Sequence, residues 1–312
     1  MASQLDKKKI ERLTFPDPLI IQPQSDHHQT FIILHGRGST ALKFAPPLLA
    51  TSTPSGETVQ SAFPHAKVIF PTATRNRATI YKRSYTHQWF DHWHLEDYEM
   101  RQELQRGGLK KSATYIHSIL KEEIRLVGSE NVVLWGLSQG CATSLASLLT
   151  WDGDAFAAVV GMCGYLPFGG FVAEIARGND YDLYQDPSAQ EYEDPFSHSG
   201  DEDYKGLPNA TKSQSDETDL ATQAATFFRE EIEMETTPTT SYMKVPIFLG
   251  HGTDDNKVAI RLGRDARSAL ELLGADVQMI EYKGLGHWYS PEMLSDIFEF
   301  LKAKLGDQNK FG

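Results

Sequence analysis

Gly136-Leu137-Ser138-Gln139-Gly140 follows the apolar, β-branched run Asn131-Val132-Val133-Leu134-Trp135 and opens a small-residue stretch from Cys141 to Leu149. A short apolar run bounded by glycine reads as a buried strand, and the stretch after it reads as a helix. A serine in a G-x-S-x-G turn between strand and helix is held out at the strand end. The flanking glycines are required because a Cβ at either would strike the neighbouring strand or helix. Ser138 is therefore expected to be presented as a nucleophile.

A hydroxyl is a weak nucleophile at neutral pH, so Ser138 needs a base to take its proton and an acid to orient that base. Both follow in the chain. Val245-Pro246-Ile247-Phe248-Leu249-Gly250 reads as a buried strand running into His251-Gly252-Thr253-Asp254-Asp255-Asn256-Lys257-Val258, a turn-rich loop with two adjacent acids. Asp276 to Tyr282 reads as another strand, followed by Gly284-Leu285-Gly286-His287. A histidine in a glycine-rich loop past a strand end can reach over the sheet. His287 is the expected general base and Asp255 the expected orienting acid. Acyl transfer also needs backbone N–H donors for the developing oxyanion. One is expected from Gln139, after the nucleophile, and the other from Arg37 in His35-Gly36-Arg37-Gly38, the loop after the strand Phe31-Ile32-Ile33-Leu34.

Strands are expected near residues 19–22, 30–34, 67–71, 131–135, 157–162, 245–249 and 276–282. Apolar spacing predicts helices over 109–126, 260–273 and 291–305, the last with Ser290 as N-cap and Pro291 at its first position. Alternating strands and helices imply an α/β fold, a mostly parallel sheet with helices on both faces. Ligands then bind at the carboxyl ends of the strands, where the four site segments fall.

Taken together, Leu34-His35-Gly36-Arg37-Gly38, Trp89-Phe90-Asp91, Gly136-Leu137-Ser138-Gln139-Gly140, Gly164-Tyr165-Leu166-Pro167, His251-Gly252 with Asp255 and Val258, and Gly286-His287 resemble the acyl-protein thioesterase, or phospholipase/carboxylesterase, family of α/β-hydrolases. The resemblance runs from about Phe31 to Leu305. It implies the α/β-hydrolase fold, a cytosolic serine esterase acting on acyl thioesters or oxyesters, and a hydrophobic acyl groove. It also favours Asp255 over Asp254 and places Trp89-Phe90-Asp91 in a structural segment near the site; Trp89 is expected to contact substrate. The chain has Cys141 where small members have glycine, and it carries an insertion of roughly sixty residues between Pro167 and Val245.

The insertion holds the acidity. From Asp180 to Glu235 there are sixteen Asp or Glu against Lys205, Lys212 and Arg229, while the whole chain has a net charge of −12, so the remainder is close to neutral. Residues 179–215 are polar and aliphatic-poor, which favours a loosely held loop. Leu220, Ala224, Phe227, Phe228 and Ile232 instead fall on one stripe of a helix. One expectation is a lid over Ser138, with Phe227 and Ile232 touching substrate; the other is a helix packed on the side of the domain. The expected layout is an N-terminal extension over 1–28 and a single domain over 29–312 with the insertion at about 174–242.

Two cysteines, Cys141 and Cys163, cannot build a disulfide framework and read as small buried hydrophobes. The start of the chain lacks the apolar run of a secretory signal, no stretch is apolar enough to span a membrane, and the sequon at Asn209 is expected to stay unmodified. These readings point to a cytoplasmic protein without an integral membrane segment or nucleic-acid partner. The expected partner is an acylated protein or a small lipid ester. An apolar groove under a lid is also a candidate homodimer face. No cofactor or metal is expected: His87, Asp91, His92 and His94 could be read as ligands, but the resemblance places Asp91 in a structural segment, and His35 and His251 are expected to brace their loops. The competing reading is a non-catalytic ligand-binding protein on the same fold.

Overall fold

The computed structural model describes residues 14–94, 98–179, 214–235 and 240–305. Its centre is a seven-stranded sheet in the order β1-β3-β2-β6-β7-β8-β9, formed by β1 (Leu19–Ile21), β2 (Gln29–Leu34), β3 (Ala66–Phe70), β6 (Val132–Leu137), β7 (Ala158–Met162), β8 (Ile247–Gly252) and β9 (Val277–Tyr282). Every pairing is parallel except that of β1 with β3. A separate hairpin, β4 (Arg75–Ala78) with β5 (Ser84–His87), stands off the sheet. Because β1 pairs with β3, the sheet already includes residues placed in the N-terminal extension.

Side chains alternate across each strand, and the two faces have separate cores. Ile32, Leu34, Val132 and Leu134 face one, with Leu109 and Ile116 of α3 (Arg106–Val127), Leu145 of α4 (Gln139–Leu149), Val172 of α5 (Gly169–Ala176), Phe228 of α6 (Gln214–Glu231) and Leu262 of α7 (Ile260–Leu272). Phe31, Ile33, Val133 and Trp135 face the other, with Phe44 of α1 (Ala41–Ala50), Val59 of α2 (Val59–Ala62) and Leu294 of α8 (Pro291–Lys304). The protein is thus an α/β fold with both faces of a mostly parallel sheet covered. Ser290 caps α8 as expected, its side chain accepting from Met293 N–H.

The insertion helix α6 packs on α5 and on the far end of α4. Phe228 and Ile232 are fully buried in the first core. The Arg229 guanidinium, 2 % exposed, donates to Asp152 Oδ1 at 2.5 Å and to the Leu149 carbonyl at 3.5 Å. Leu149 ends α4, and Ser138 precedes its start. This overturns the expected substrate contacts of the helix: Phe227 rests against Phe171 with ring centroids 6.0 Å apart, and Ile232 is sealed in the core, so neither lines the space above Ser138. The physical reason is the face that carries the bulk. Ala221, Ala224, Ala225, Phe228 and Ile232 are the buried apolar positions, and the alanines admit α6 closely against the flank. Among the described residues, none from the insertion lines the cleft at Ser138. The loop over 180–213 and the sequon at Asn209 lie outside the described residues.

Candidate active site

Ser138 sits between β6 and α4 with φ 57° and ψ −120°, a conformation costly for a residue with a Cβ. The turn is tight enough to explain its glycines. A Cβ on Gly136 would lie 2.3 Å from the Gly140 carbonyl carbon, and one on Gly140 would lie 2.4 Å from the Leu34 oxygen. The Ser138 N–H is held by the Met162 carbonyl at 2.8 Å. Cys141 fills the space left by Gly161 and Gly164, where any Cβ would come within 2.5 Å of its sulfur. Burial pushes the Cys163 thiol up to about 12 and the Cys141 thiol higher, so both are inert at neutral pH.

His287 follows β9 and shares with Ser138 a cleft of about 370 Å3. Its Nδ1–H donates to Asp255 Oδ2 at 2.8 Å, since a carboxylate can only accept. That fixes the tautomer and leaves Nε2 free to receive a proton. Asp255 is itself held from several sides: Oδ1 accepts from the N–H groups of Lys257 at 2.8 Å and Val258 at 2.9 Å, while His251 Nε2 lies 3.3 Å from Oδ2. Burial alone raises the Asp255 carboxyl, but the hydrogen bonds from His251, His287 and Val258 outweigh it and hold the group well below the usual carboxylate range. The neighbouring Asp254 is exposed, and its side chain accepts from Thr253 Oγ1. Cys163, Asp255 and His287 offer atoms within 4.8 Å of one another, the spacing of a metal site, and the Asp255–His287 hydrogen bond accounts for it. His251 braces its loop as expected, donating to the Val258 carbonyl at 2.8 Å. A Cβ at Gly263 would lie 2.5 Å from its other nitrogen.

The loop after β2 lies against the serine: a Cβ on Gly36 would be 3.3 Å from Ser138 Cβ. Arg37 lines the cleft, and Gln139 is the first residue of α4, where backbone N–H groups have no partner within the helix. The loop is pinned from behind. His35 donates from Nδ1 to the Gly36 carbonyl at 2.7 Å and accepts at Nε2 from Ala73 N–H at 3.1 Å. Burial lowers it to about 4, so it stays neutral. The Trp89 indole donates to the His35 carbonyl at 2.8 Å, and the Gln139 side chain bridges Trp89 N–H and the Phe90 carbonyl at 3.0 and 2.7 Å.

Trp89 is thus not a substrate contact: it is 1 % exposed and lies behind the loop. The ring points inward because its N–H must find an acceptor when buried, and the His35 carbonyl provides one. Asp91 accepts from Thr79 N–H at 2.9 Å and Thr79 Oγ1 at 2.5 Å, tying the β4–β5 hairpin to this segment, and His92 Nε2 meets the Tyr165 hydroxyl at 2.5 Å. Sequence reasoning missed the cleft's aromatic walls, Phe44, Tyr81, Tyr98 and Trp288. Only Trp288, directly after His287, carries a positional signal.

The whole arrangement has counterparts. The phospholipase/carboxylesterase family model matches residues 16–180 and 210–305. The chain belongs to that family. It is 25 % identical over 295 residues to acyl-protein thioesterase 1 of Yarrowia lipolytica, covering 93 % of this chain and 98 % of that protein. A shorter match, 30 % over 150 residues, covers 48 % of this chain and 61 % of acyl-protein thioesterase 1 of Schizosaccharomyces pombe. Among solved structures, acyl-protein thioesterase 2 of Zea mays superposes with a TM-score of 0.60 at 20 % identity over 93 % of this chain and 99 % of that one, which shows the α/β-hydrolase fold. The protein is a hydrolase of the carboxylic-ester class, and the purely ligand-binding reading is not favoured. No described helix is long and apolar enough to cross a membrane.

Proposed function

We propose that the protein cleaves fatty-acyl thioesters or carboxylic esters, of an acylated protein or a small lipid, through an acyl-enzyme on Ser138. His287 Nε2 takes the Ser138 proton as Oγ attacks the acyl carbon; Asp255 holds the imidazole and offsets the imidazolium charge. The N–H groups of Arg37 and Gln139 receive the oxyanion. His287 then returns the proton to the leaving thiol or alcohol, and a water activated by the same imidazole releases the acid. The observation that carries this reading is a serine strained into positive φ on the same cleft as a histidine whose Nδ1 is bonded to a buried carboxylate. Phe44, Leu137 and Trp288 suit an acyl chain. A cytosolic location agrees with two buried free thiols.

A fluorophosphonate probe should add to Ser138 of the wild type and not to Ser138→Ala, read by intact mass. Ser138→Ala and His287→Ala should each lower kcat by on the order of 10⁴-fold or more. Retained turnover in either variant sinks the mechanism.

A further inference from the structure

A second cavity, of about 440 Å3, lies beside the cleft over Ser138. It is lined by the apolar side chains of Leu166, Phe168, Phe171 and Leu262, from α5 with the segment before it and from α7, and also by the charged Glu99, Glu174, Arg177 and Asp265. Phe227 of the insertion helix backs Phe171. Among the described residues, Tyr98 alone lines both spaces.

The Tyr98 ring is held on three sides. Its hydroxyl donates to the Lys257 carbonyl at 3.0 Å, in the loop whose N–H groups hold Asp255. Its ring lies 4.4 Å from that of Tyr165 and meets His92 edge-on at 5.2 Å. Tyr165 is in turn fixed by its bond to His92. The residue is 8 % exposed although it faces two cavities. A side chain so braced is a wall, with Ser138 on one side of it and, on the other, a space of mixed lining whose apolar part is Leu166, Phe168, Phe171 and Leu262.

We infer that Tyr98 is the specificity-determining residue that closes the acyl end of the cleft and excludes the acyl chain from the second cavity, so that it sets the longest chain accepted. This rests on the ester-hydrolase reading above. Joined by loss of the ring, the two spaces would offer more than twice the volume of the cleft alone. Each methylene that enters gains up to about four-fold in kcat/KM, the equivalent of ~0.8 kcal/mol.

The test is the ratio of kcat/KM for long over short acyl esters, from acetyl to palmitoyl, in full-length enzyme. Tyr98→Ala should shift the optimum to longer chains, and Tyr98→Phe, which keeps the ring and loses the hydroxyl, should keep the wild-type profile whatever its absolute rate. Tyr98→Val serves where the alanine variant does not fold, as judged by its melting transition. Ser268→Trp, which fills the second cavity from a half-exposed helix position, should leave the wild-type profile alone and reverse the shift in the Tyr98→Ala background. An unshifted profile in the folded Tyr98→Ala or Tyr98→Val variant overturns the inference. So does truncation of the wild-type profile by Ser268→Trp alone, because the cavities would then already be joined. Absence of any turnover or probe labelling in the wild type defeats the underlying hydrolase reading instead, so the two failures are distinguishable.

Discussion

The two ends of α4 are fixed by different means. At the N-terminal end the Ser138 turn is set by backbone: positive φ, two glycines with no room for a Cβ, and the loop after β2 pressed against it. About 16 Å away at 1.5 Å per residue, the C-terminal end is set by side chains, with Arg229 of the insertion helix bonded to Leu149 and Asp152 and with Phe228 and Ile232 buried alongside. The first kind of constraint is written locally, since each glycine answers to a neighbour within a few residues or one strand away. The second depends on which distant surface offers a complementary hollow. An apolar stripe says that a helix docks; it does not say where.

The comparison assigns chemistry to one end and stability to the other, and the two adjacent acids of the β8 loop test the chemical end most severely. Asp255→Asn should lower kcat by about 10⁴-fold, because an amide favours the wrong imidazole tautomer and cannot offset the imidazolium. Asp254→Asn, on an exposed side chain bonded to Thr253, should change kcat less than about three-fold. Steady-state rates on one ester suffice, and equal losses would mean that the acid loop works in a different register.

At the other end, Ile232→Ala should cost about 2–5 kcal/mol of stability by opening a cavity in the first core, read as a fall in denaturation midpoint. Its acyl-length profile should match the wild type. A selective loss of long-chain turnover at unchanged stability would restore the lid and erase the contrast between the two ends.

Much of this was legible in advance, for identifiable reasons. All seven strands of the main sheet announce themselves as short apolar runs, and the segments carrying Ser138, Asp255, His287, Arg37 and Gln139 follow from what comes after each strand. The β4–β5 hairpin does not, because Arg75-Asn76-Arg77-Ala78 and Ser84-Tyr85-Thr86-His87 show no apolar alternation. Helix α1 is hidden by Pro46 and Pro47, which sit inside it although proline lacks the N–H an interior turn uses. Helix α5 opens with Gly169-Gly170, weak helix formers. Trp89 was placed in the right neighbourhood and given the wrong face, since sequence locates a residue in a loop without telling which way its ring turns.

Acid should weaken both ends before it disables either. Burial lowers His35 behind the serine to about 4, and lowers His117, which meets the Ser147 carbonyl near the distal end of α4. Each has a folded value below the unfolded one near 6.5. The unfolded chain therefore binds protons first, and the stability these residues contribute is complete above about pH 6.5 and is lost as pH falls below it, for His35 down to about 4. For His35 alone the full loss is about 3 kcal/mol. Urea midpoints between pH 7.5 and 4.5 should decline through that window. A flat profile would mean that the buried imidazoles are not held neutral.

The smallest expected effect probes how the catalytic end is stiffened from behind. Trp89→Phe keeps most of the buried ring but deletes the N–H that satisfies the His35 carbonyl. A neutral hydrogen bond is worth about 1 kcal/mol, or roughly a five-fold change if the whole loss falls on the transition state. Because Trp89 touches the loop and not the cleft, the loss should appear in kcat with KM unchanged, if the loop carries the Arg37 N–H proposed to receive the oxyanion and the acyl chain lies elsewhere. A rise in KM at constant kcat would put the indole back in contact with substrate. A fall in melting temperature with both constants unchanged would make Trp89 a packing residue of the first core, and the stiffness of the loop would then have to come from His35 alone.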